Sequence, residues 1–169
     1  MPVSMYSASV PVFLQLLGGV EGTLEKAEAQ AKAKKWDESV VLNWRLFPDM
    51  FTFARQVRQA SEHALGAGRA AGVEVPKLPD LDASFADMHS RIGKTIDFLK
   101  SLRPQQLDGH EDHTVTIMLG GQPRNFRAEA YLFHHAMPNF YFHITTAYNI
   151  LRHLGIDIGK RDFMGQVPS

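Results

Sequence analysis

The chain of 169 residues contains no cysteine, and its formal net charge at pH 7 is zero because 18 basic residues balance 18 acidic ones. The lack of cysteine excludes disulfide bonds, thiolate metal ligands and a cysteine nucleophile. A neutral chain provides no electrostatic surface for a nucleic-acid backbone. No stretch approaches the roughly 20 apolar residues that cross a bilayer. We therefore expect neither a nucleic acid nor a membrane as a partner.

The remaining composition is that of a soluble globular protein, with 44% hydrophobic and 21% charged residues. The length fits one domain over residues 1–169. The first 22 residues lack the basic segment of a signal peptide, and their apolar run ends at Gly18 and Gly19, so they predict a helix. Together with the lack of cysteine, this pattern favours a cytoplasmic location.

The first helix is predicted from near Ser9, which can cap it, to about Lys34. Apolar side chains recur every seven residues along it, which is typical of the buried stripe of a bundle helix. They are Val10, Leu17, Leu24 and Ala31. A short helix from Asp37 to Leu46 is expected to follow.

Pro48 and Asp49 predict the start of the second long helix, since proline fits a first helical turn and an acid there faces the positive end of the helix dipole. This helix should end between Gly68 and Gly72. Ser84 and Asp87 then form a capping-box pattern that opens a third helix of about five turns.

Thr114–Leu119 is rich in β-branched residues and is followed by GGQP, which predicts a small β-hairpin. The last helix should run from near Ala128 to about Leu154, closed by Gly155, with a kink at Pro138. The predicted fold is all-α: an antiparallel four-helix bundle with a hairpin before the last helix.

His135, Asn139 and His143 follow one another at intervals of four residues, so they project from roughly one side of the last helix. Two imidazoles and an amide on one side could bind a divalent metal or orient a substrate. Alternatively, each is a core polar group with a hydrogen-bond partner, or His135 faces solvent.

Asp49, near Arg45 and Gln56, could serve as a metal ligand or a general base, or it could only stabilise the start of a helix. The loop of His110–His113 combines two histidines with two acids, either as a metal clip or as a solvated cluster. The remaining histidines show no partner pattern and are predicted on helix surfaces. They are His63, His89 and His153.

Several catalytic motifs are missing from the chain. It contains no phosphate-binding loop of the G-x-x-x-x-G-K-S/T type and no G-x-G-x-x-G after a predicted strand. It also lacks the G-x-S-x-G of serine hydrolases and the H-E-x-x-H of zinc proteases. These absences leave common nucleotide-binding loops, serine hydrolysis and zinc-protease chemistry without support.

Three segments carry a resemblance to a bacterial family of unknown function, and the similarity extends from end to end. They are Leu46–Phe51, Pro138–His143 (PNFYFH) and Gly159–Phe163 (GKRDF). That family belongs to the DinB/YfiT-like superfamily of proposed metalloenzymes. Its members are four-helix bundles and often dimers, and some are thiol-dependent transferases. The resemblance therefore implies this fold and a homodimer.

The superfamily's metal site uses one histidine from the second helix and an H-x-x-x-H pair from the fourth. By this resemblance the pair falls on Asn139 and His143, and the remaining ligand falls near Gln56. Two of the three ligands are thus replaced by amides, whose oxygens are poor zinc or nickel ligands beside imidazole. The resemblance supports the fold more strongly than the metal.

Two functional hypotheses follow. In the first, the protein is a hydrolase or transferase, acting with or without a metal, with a small-molecule pocket between the second and fourth helices. Asp49 and His143 would be its catalytic residues and could bind zinc or nickel. The substrate-binding residues would be Gln56, His135, Asn139 and Tyr141. In the second, the protein is a non-enzymatic dimeric binding or structural protein whose metal site has degenerated.

Overall fold

The computed structural model describes residues 3–168, and the chain is mainly helical there. The helices before the hairpin are α1 (Met5–Ala33), α2 (Glu38–Leu42), α3 (Phe53–Ala64), α4 (Gly66–Ala70), α5 (Phe85–Ser101) and α6 (Pro104–Leu107). The hairpin consists of β1 (Thr114–Leu119) and β2 (Gln122–Arg127). After it come α7 (Ala128–Tyr131), a π-helical turn (Leu132–Ala136), α8 (Met137–His153) and α9 (Lys160–Met164).

Helix α1 begins four residues earlier than predicted because its cap lies upstream of the apolar repeat. Ser4 caps it in a reciprocal arrangement with Ser7, whose N–H donates to Ser4 Oγ over 3.2 Å. The prediction that Ser9 is the cap is wrong: Ser9 is buried inside the helix and donates its hydroxyl to the Met5 carbonyl over 2.6 Å. The predicted apolar stripe with its seven-residue repeat is confirmed, since all four of its side chains are buried.

The second long helix does not start at Pro48 and Asp49, so that prediction is also wrong. The start is set by Thr52, whose Oγ1 accepts the Arg55 N–H over 3.4 Å, so α3 begins at Phe53. A side-chain oxygen satisfies a free N–H of the first turn, which proline cannot do. Asp49 instead lies exposed in the irregular connection, and α2 ends at residue 42 rather than 46.

The predicted capping box of α5 and the predicted hairpin are confirmed. Ser84 Oγ accepts the Asp87 N–H over 3.1 Å, and Asp87 Oδ2 accepts the Ser84 N–H over 3.1 Å. The strands pair antiparallel around Gly120 and Gly121, whose φ angles are 59° and 77°. A two-residue turn of this kind needs positive φ at both positions, which glycine adopts without strain.

The last long helix begins and ends as predicted, but the disturbance near Pro138 takes the form of a π-helical turn. The Met137 N–H donates to the Leu132 carbonyl, five residues back instead of four. Pro138 has no N–H to donate, and it is tolerated here because it lies directly after a stretch in which the regular α-helical bonding is already interrupted. The helix ends at His153, followed by Gly155 with a φ of 76°.

The helices pack around one apolar core in which α3 lies against α8 and α1 against α5. Helix α1 also contacts α8, and α3 also contacts α5. Val115 anchors the hairpin to the core. Of the helices within residues 3–168, none combines the length and the hydropathy needed to cross a bilayer. The contact between α3 and α8 positions the polar residues discussed below.

Gly19 marks the point where α9 crosses α1, and its substitution should be destabilising. A Cβ atom there would overlap the Phe163 carbonyl oxygen and lie 2.9 Å from that of Asp162. Because these are backbone atoms, we expect Gly19→Ala to lower the free energy of unfolding by about 1–3 kcal/mol in urea denaturation.

Gly18 provides the matched control, because a Cβ atom on it would meet nothing within 4 Å. Gly18→Ala should raise stability by about 0.5–1 kcal/mol, since alanine favours the helix. Equal stabilities of the two variants would contradict the close crossing of α9 over α1.

Candidate functional site

Three histidines from different parts of the chain meet where α3 packs against α8. His63 comes from α3, His135 from the π-helical turn and His143 from α8. The His63 ring centroid lies 5.5 Å from that of His143, nearly parallel, and 5.5 Å from that of His135. We refer to these three residues as the histidine cluster. Its position follows from the α3–α8 contact, since no two of its members lie within one turn of each other.

His143 is the most buried member of the histidine cluster, with 7% of its surface exposed. A hydrogen bond with Gln56 holds its ring in place. Its Nδ1 lies 2.7 Å from Gln56 Oε1, and Gln56 Nε2 donates to the Phe51 carbonyl over 3.4 Å. The Phe51 carbonyl can only accept, which orients the amide, and the amide oxygen can only accept, which places the imidazole proton on Nδ1. The Nε2 atom of His143 therefore carries a lone pair.

Two members of the cluster are neutral at pH 7. Burial lowers the pKa of His143 to about 4. Burial also lowers the pKa of His63 to about 4, helped by the nearby His143, His135 and Arg69. Removal of a charged imidazolium from water is unfavourable, and neighbouring cations add to that cost. Both rings therefore remain unprotonated well below neutral pH.

Aromatic side chains surround the cluster on both ends. The Phe51 ring lies parallel to the His143 ring, with the two centroids 6.2 Å apart. The Arg55 guanidinium lies over the Phe51 ring, 3.7 Å from its centroid. His135, Tyr131 and Phe126 of the hairpin form a triangle of rings, with centroids 5.6 Å apart for His135 and Tyr131, 6.1 Å for His135 and Phe126, and 6.4 Å for Phe126 and Tyr131. These rings limit the access of water, which strengthens any hydrogen bond formed within the cluster.

The structure brings some of the predicted site residues together. Gln56 and His143 are hydrogen-bonded, and His135 joins them through His63. Asn139 Nδ2 donates to the His135 carbonyl over 2.7 Å, so its amide supports the π-helical turn. Tyr141, at 38% exposed, faces outward next to Phe140, and partial burial raises the pKa of its hydroxyl.

Asp49 is the predicted site residue for which the structure gives no partner. Its side chain is exposed and forms no hydrogen bond or ion pair with any residue in the range 3–168. Its predicted part as a base or ligand beside His143 therefore gains no support from the geometry. Two residues further on, Phe51 is the member of this segment that contacts His143.

His63 was predicted on a helix surface, which is wrong, and it is the site residue that sequence reasoning misses. Its partners come from the π-helical turn and α8, so no pattern within α3 reveals them. One pattern could have done so: His63 follows Gln56 by seven residues, which places both on the same face of α3.

His89 also differs from its predicted surface role. Its two ring nitrogens lie 2.6 Å from Glu21 Oε1 and 3.0 Å from Glu28 Oε2, both on α1. Burial alone would lower the pKa of His89, but the two carboxylates outweigh burial and raise it. The His153 ring lies 6.0 Å from that of Trp44 between centroids, with the two planes tilted by 31°. Both histidines thus have partners from distant parts of the chain.

The donor atoms do not fit the zinc or nickel ion that the superfamily resemblance implies. Among residues 3–168, no three or more His, Cys, Asp or Glu side chains are arranged to hold a metal ion. Gln56 Oε1 already faces an imidazole N–H, and Asn139, whose Nδ2 donates to a carbonyl, offers only an amide oxygen, a poor zinc or nickel ligand beside imidazole. In the His110–His113 loop, Asp112 pairs with Arg127 and Glu111 accepts the Gly109 N–H.

Comparison with known proteins identifies the family. Residues 5–164 match the family described as Domain of unknown function (DUF1993). The chain is also similar to the crystal structure of a DinB family member protein from Shewanella denitrificans, at 35% sequence identity and a TM-score of 0.86, over 97% of this chain and 93% of that chain. No curated protein matches significantly. The predicted relationship is confirmed: the chain belongs to the DUF1993 family of unknown function, within the DinB-like superfamily.

Proposed function

We propose that the histidine cluster binds a small polar molecule, with His143 Nε2 accepting a hydrogen bond from it and Gln56 acting as the positioning residue. The observation that carries this proposal is the hydrogen bond from His143 Nδ1 to Gln56 Oε1. It fixes the tautomer and the ring orientation of a nearly buried imidazole before any ligand arrives. Such preorganisation is typical of binding and catalytic histidines.

The low pKa of His143, about 4, decides which role suits it best. A general base works best when its pKa lies near the operating pH. An imidazole with a pKa of about 4 is a weak base but is always available as an acceptor at pH 7. The site therefore favours a ligand that offers a neutral O–H or N–H group, and it favours binding or proton relay over abstraction of a proton from carbon.

The other predicted substrate-binding residues take positions at the edge of this site. His63 and His135 supply two further imidazoles, Asn139 retains its Oδ1 as an acceptor, and Tyr141 is partly exposed. A hydrolase or transferase reaction at this site would have to use the imidazoles, the amide oxygen and the phenol of these residues as its hydrogen-bonding and proton-transferring groups. We assign no step of it to Asp49, whose exposed side chain forms no hydrogen bond or ion pair within residues 3–168.

A non-enzymatic role is the second candidate, and a specific observation favours it. Gln56 and Asn139, which stand where the superfamily has ligands, are both bonded within the chain. Two adjacent aromatic residues of α8, Tyr141 and Phe142, are 38% and 57% exposed, which suits a contact between two copies. The homodimer and the cytoplasmic location remain predictions.

Replacement of Gln56 by glutamate tests the hydrogen bond itself. A carboxylate in place of the amide oxygen should stabilise the imidazolium and raise the pKa of His143 by about 1–3. The measurement is a pH titration of the His143 ring signals by NMR. Gln59→Glu is the matched control, since Gln59 lies on the same helix without a hydrogen bond to the cluster. An equal effect of both variants would contradict the pairing.

The choice between the two candidates needs a binding measurement. We suggest tag-free protein titrated with a panel of small alcohols, amides and phenols, followed by NMR of the histidine rings. Under the binding hypothesis, His143→Ala removes the responses while the Tm changes little. Under the structural hypothesis, no compound perturbs the rings and His143→Ala mainly lowers the Tm. Stoichiometric Zn²⁺ binding that is lost in His63→Ala and His143→Ala would overturn the metal-free site.

A further inference from the structure

A cavity of about 80 Å³ lies between α5 and the connecting segment that precedes it, on a different part of the molecule from the histidine cluster. One water molecule needs only about 10–15 Å³ of such space, so several waters or a small organic anion would fit. Two apolar residues of the connection and four polar residues of α5 form the wall. They are Pro79, Leu81, Asp87, Ser90, Arg91 and Lys94.

Arg91 is the buried charge of this wall, with a side chain only 2% exposed. Its Nη1 lies 3.3 Å from Glu62 Oε1, and its Nη2 donates to the Pro79 carbonyl. Its Nε is buried and has no hydrogen-bond partner in the described part of the chain. An unpaired donor on a buried cation is strongly unfavourable. It points to an acceptor that comes from outside the chain.

The carboxylate that faces Arg91 is shared. Glu62 also pairs with Arg69, whose Nη2 lies 3.4 Å from Glu62 Oε2. One carboxylate therefore serves two guanidinium groups and does not fully balance Arg91. Lys94, one turn further along α5, is exposed and adds a second positive charge at the mouth of the cavity.

The acidic residues near the cavity are engaged elsewhere. Asp87 Oδ2 accepts the N–H groups of Ala83 and Ser84 at the start of α5, over 3.2 and 3.1 Å. Asp80 and Asp82 of the connection each lie 3.5 Å from Arg58 Nη1. The donors that remain for a ligand are thus the Arg91 Nε–H, the Ser90 hydroxyl and the Lys94 ammonium, which favours an anion.

We propose that this cavity binds a small carboxylate, held by the Nε–H of Arg91 with Ser90 and Lys94 at the entrance. Guanidinium groups match carboxylate geometry well. A single negative charge suits a wall that contains one buried cation and the Asp87 carboxylate. The apolar side chains of Pro79 and Leu81 would contact the carbon end of the ligand.

Acetate is the probe for the test, and the Nε–H signal of Arg91 in the ¹H–¹⁵N NMR spectrum is the readout. We expect a saturable shift of this signal with acetate and none with chloride at the same ionic strength. Lys94→Gln should raise the Kd for acetate about five-fold through the loss of one exposed charge. Lys100→Gln is the control, since Lys100 is an exposed lysine of α5 outside the wall and should leave the Kd unchanged.

Arg91→Gln would also leave Glu62 without one of its partners and is expected to destabilise the fold, so the surface variants carry the test. A shift that does not saturate, or that chloride reproduces, would overturn the proposal. The same holds if Lys94→Gln and Lys100→Gln weaken acetate equally, or if Arg91 shows only contacts with bound water that acetate does not alter.

Discussion

Acidification from pH 7 to pH 4.5 should lower the free energy of unfolding by about 2–3 kcal/mol for each of two histidines, His63 and His143. Burial lowers the folded-state pKa of both to about 4, while an unfolded histidine titrates near its ordinary value of 6.5. Between these two values the unfolded chain binds protons that the folded chain does not. The stability is therefore fully present above pH 6.5 and is lost as the pH falls toward 4.

Other titrating groups act outside this window. His89 has a raised pKa, so its contribution is fully present below pH 6.5 and is lost only as the pH rises through its folded-state value. The pKa of Asp162 is lowered, mainly by its hydrogen bond from Lys26. The stability that this carboxylate contributes is therefore lost only below its ordinary pKa of 3.8. The slope between pH 6.5 and 4.5 therefore reports mainly on the histidine cluster.

Urea denaturation at several pH values measures this slope, and one substitution isolates it. His63→Phe keeps a ring that can stack but removes the titrating nitrogens, so it should reduce the slope by about half. His134→Gln is the control, because His134 is exposed and lies outside the cluster. A wild-type slope in His63→Phe would show that His63 is not the neutral, buried ring described here.

Phe140→Ala is expected to cost about 3–5 kcal/mol of stability, the usual penalty for removal of a fully buried phenylalanine. Phe140 is completely buried on α8, and its ring meets the edge of Phe13 on α1 at 4.8 Å between centroids and 84° between planes. The substitution leaves a cavity between two long helices. Urea denaturation again provides the measurement.

Phe142→Ala, two residues along the same helix, is the matched control, since Phe142 is 57% exposed and should cost less than about 1 kcal/mol. The double variant with Phe13→Ala separates the ring–ring contact from burial. We expect a coupling of about 0.5–1.5 kcal/mol. Equal costs at Phe140 and Phe142 would mean that the register of α8 is wrong.

Elements whose ends are set by nearby residues could be predicted from the sequence. The pair Ser84 and Asp87 starts α5, and the glycines at 120 and 121 close the hairpin, because each satisfies or shapes backbone within three residues of itself. The start of α3 could not be predicted in this way. Pro48 and Thr52 are both acceptable start residues in sequence, and the structure uses Thr52, whose side chain caps the first turn, while the Phe53 N–H donates to the carbonyl of Trp44, nine residues back, over 2.8 Å.

The site was predictable only in part, for a related reason. His135, Asn139 and His143 share a helix side, so their spacing revealed them, and Gln56 came from the family resemblance. His63 joins them only because α3 packs against α8, where its partner His143 lies 80 residues further along the chain. The pairing of His89 with α1 is equally invisible to local patterns.

Because of the π-helical turn, the direction of His135 depends on how many residues separate it from His143, as well as on which residues they are. In a regular α-helix, residues eight apart point about 80° away from each other, at about 100° per residue. A π-helical turn closes each hydrogen bond over one residue more, so it underwinds Leu132–Ala136 and turns His135 back toward the cluster. In an unbroken helix with one residue fewer in this stretch, the equivalent of His135 would lie seven residues before that of His143, and seven residues at about 100° each return to the same side within about 20°. A homologue can therefore keep the cluster either with eight residues and a π-helical turn or with seven residues and a regular helix.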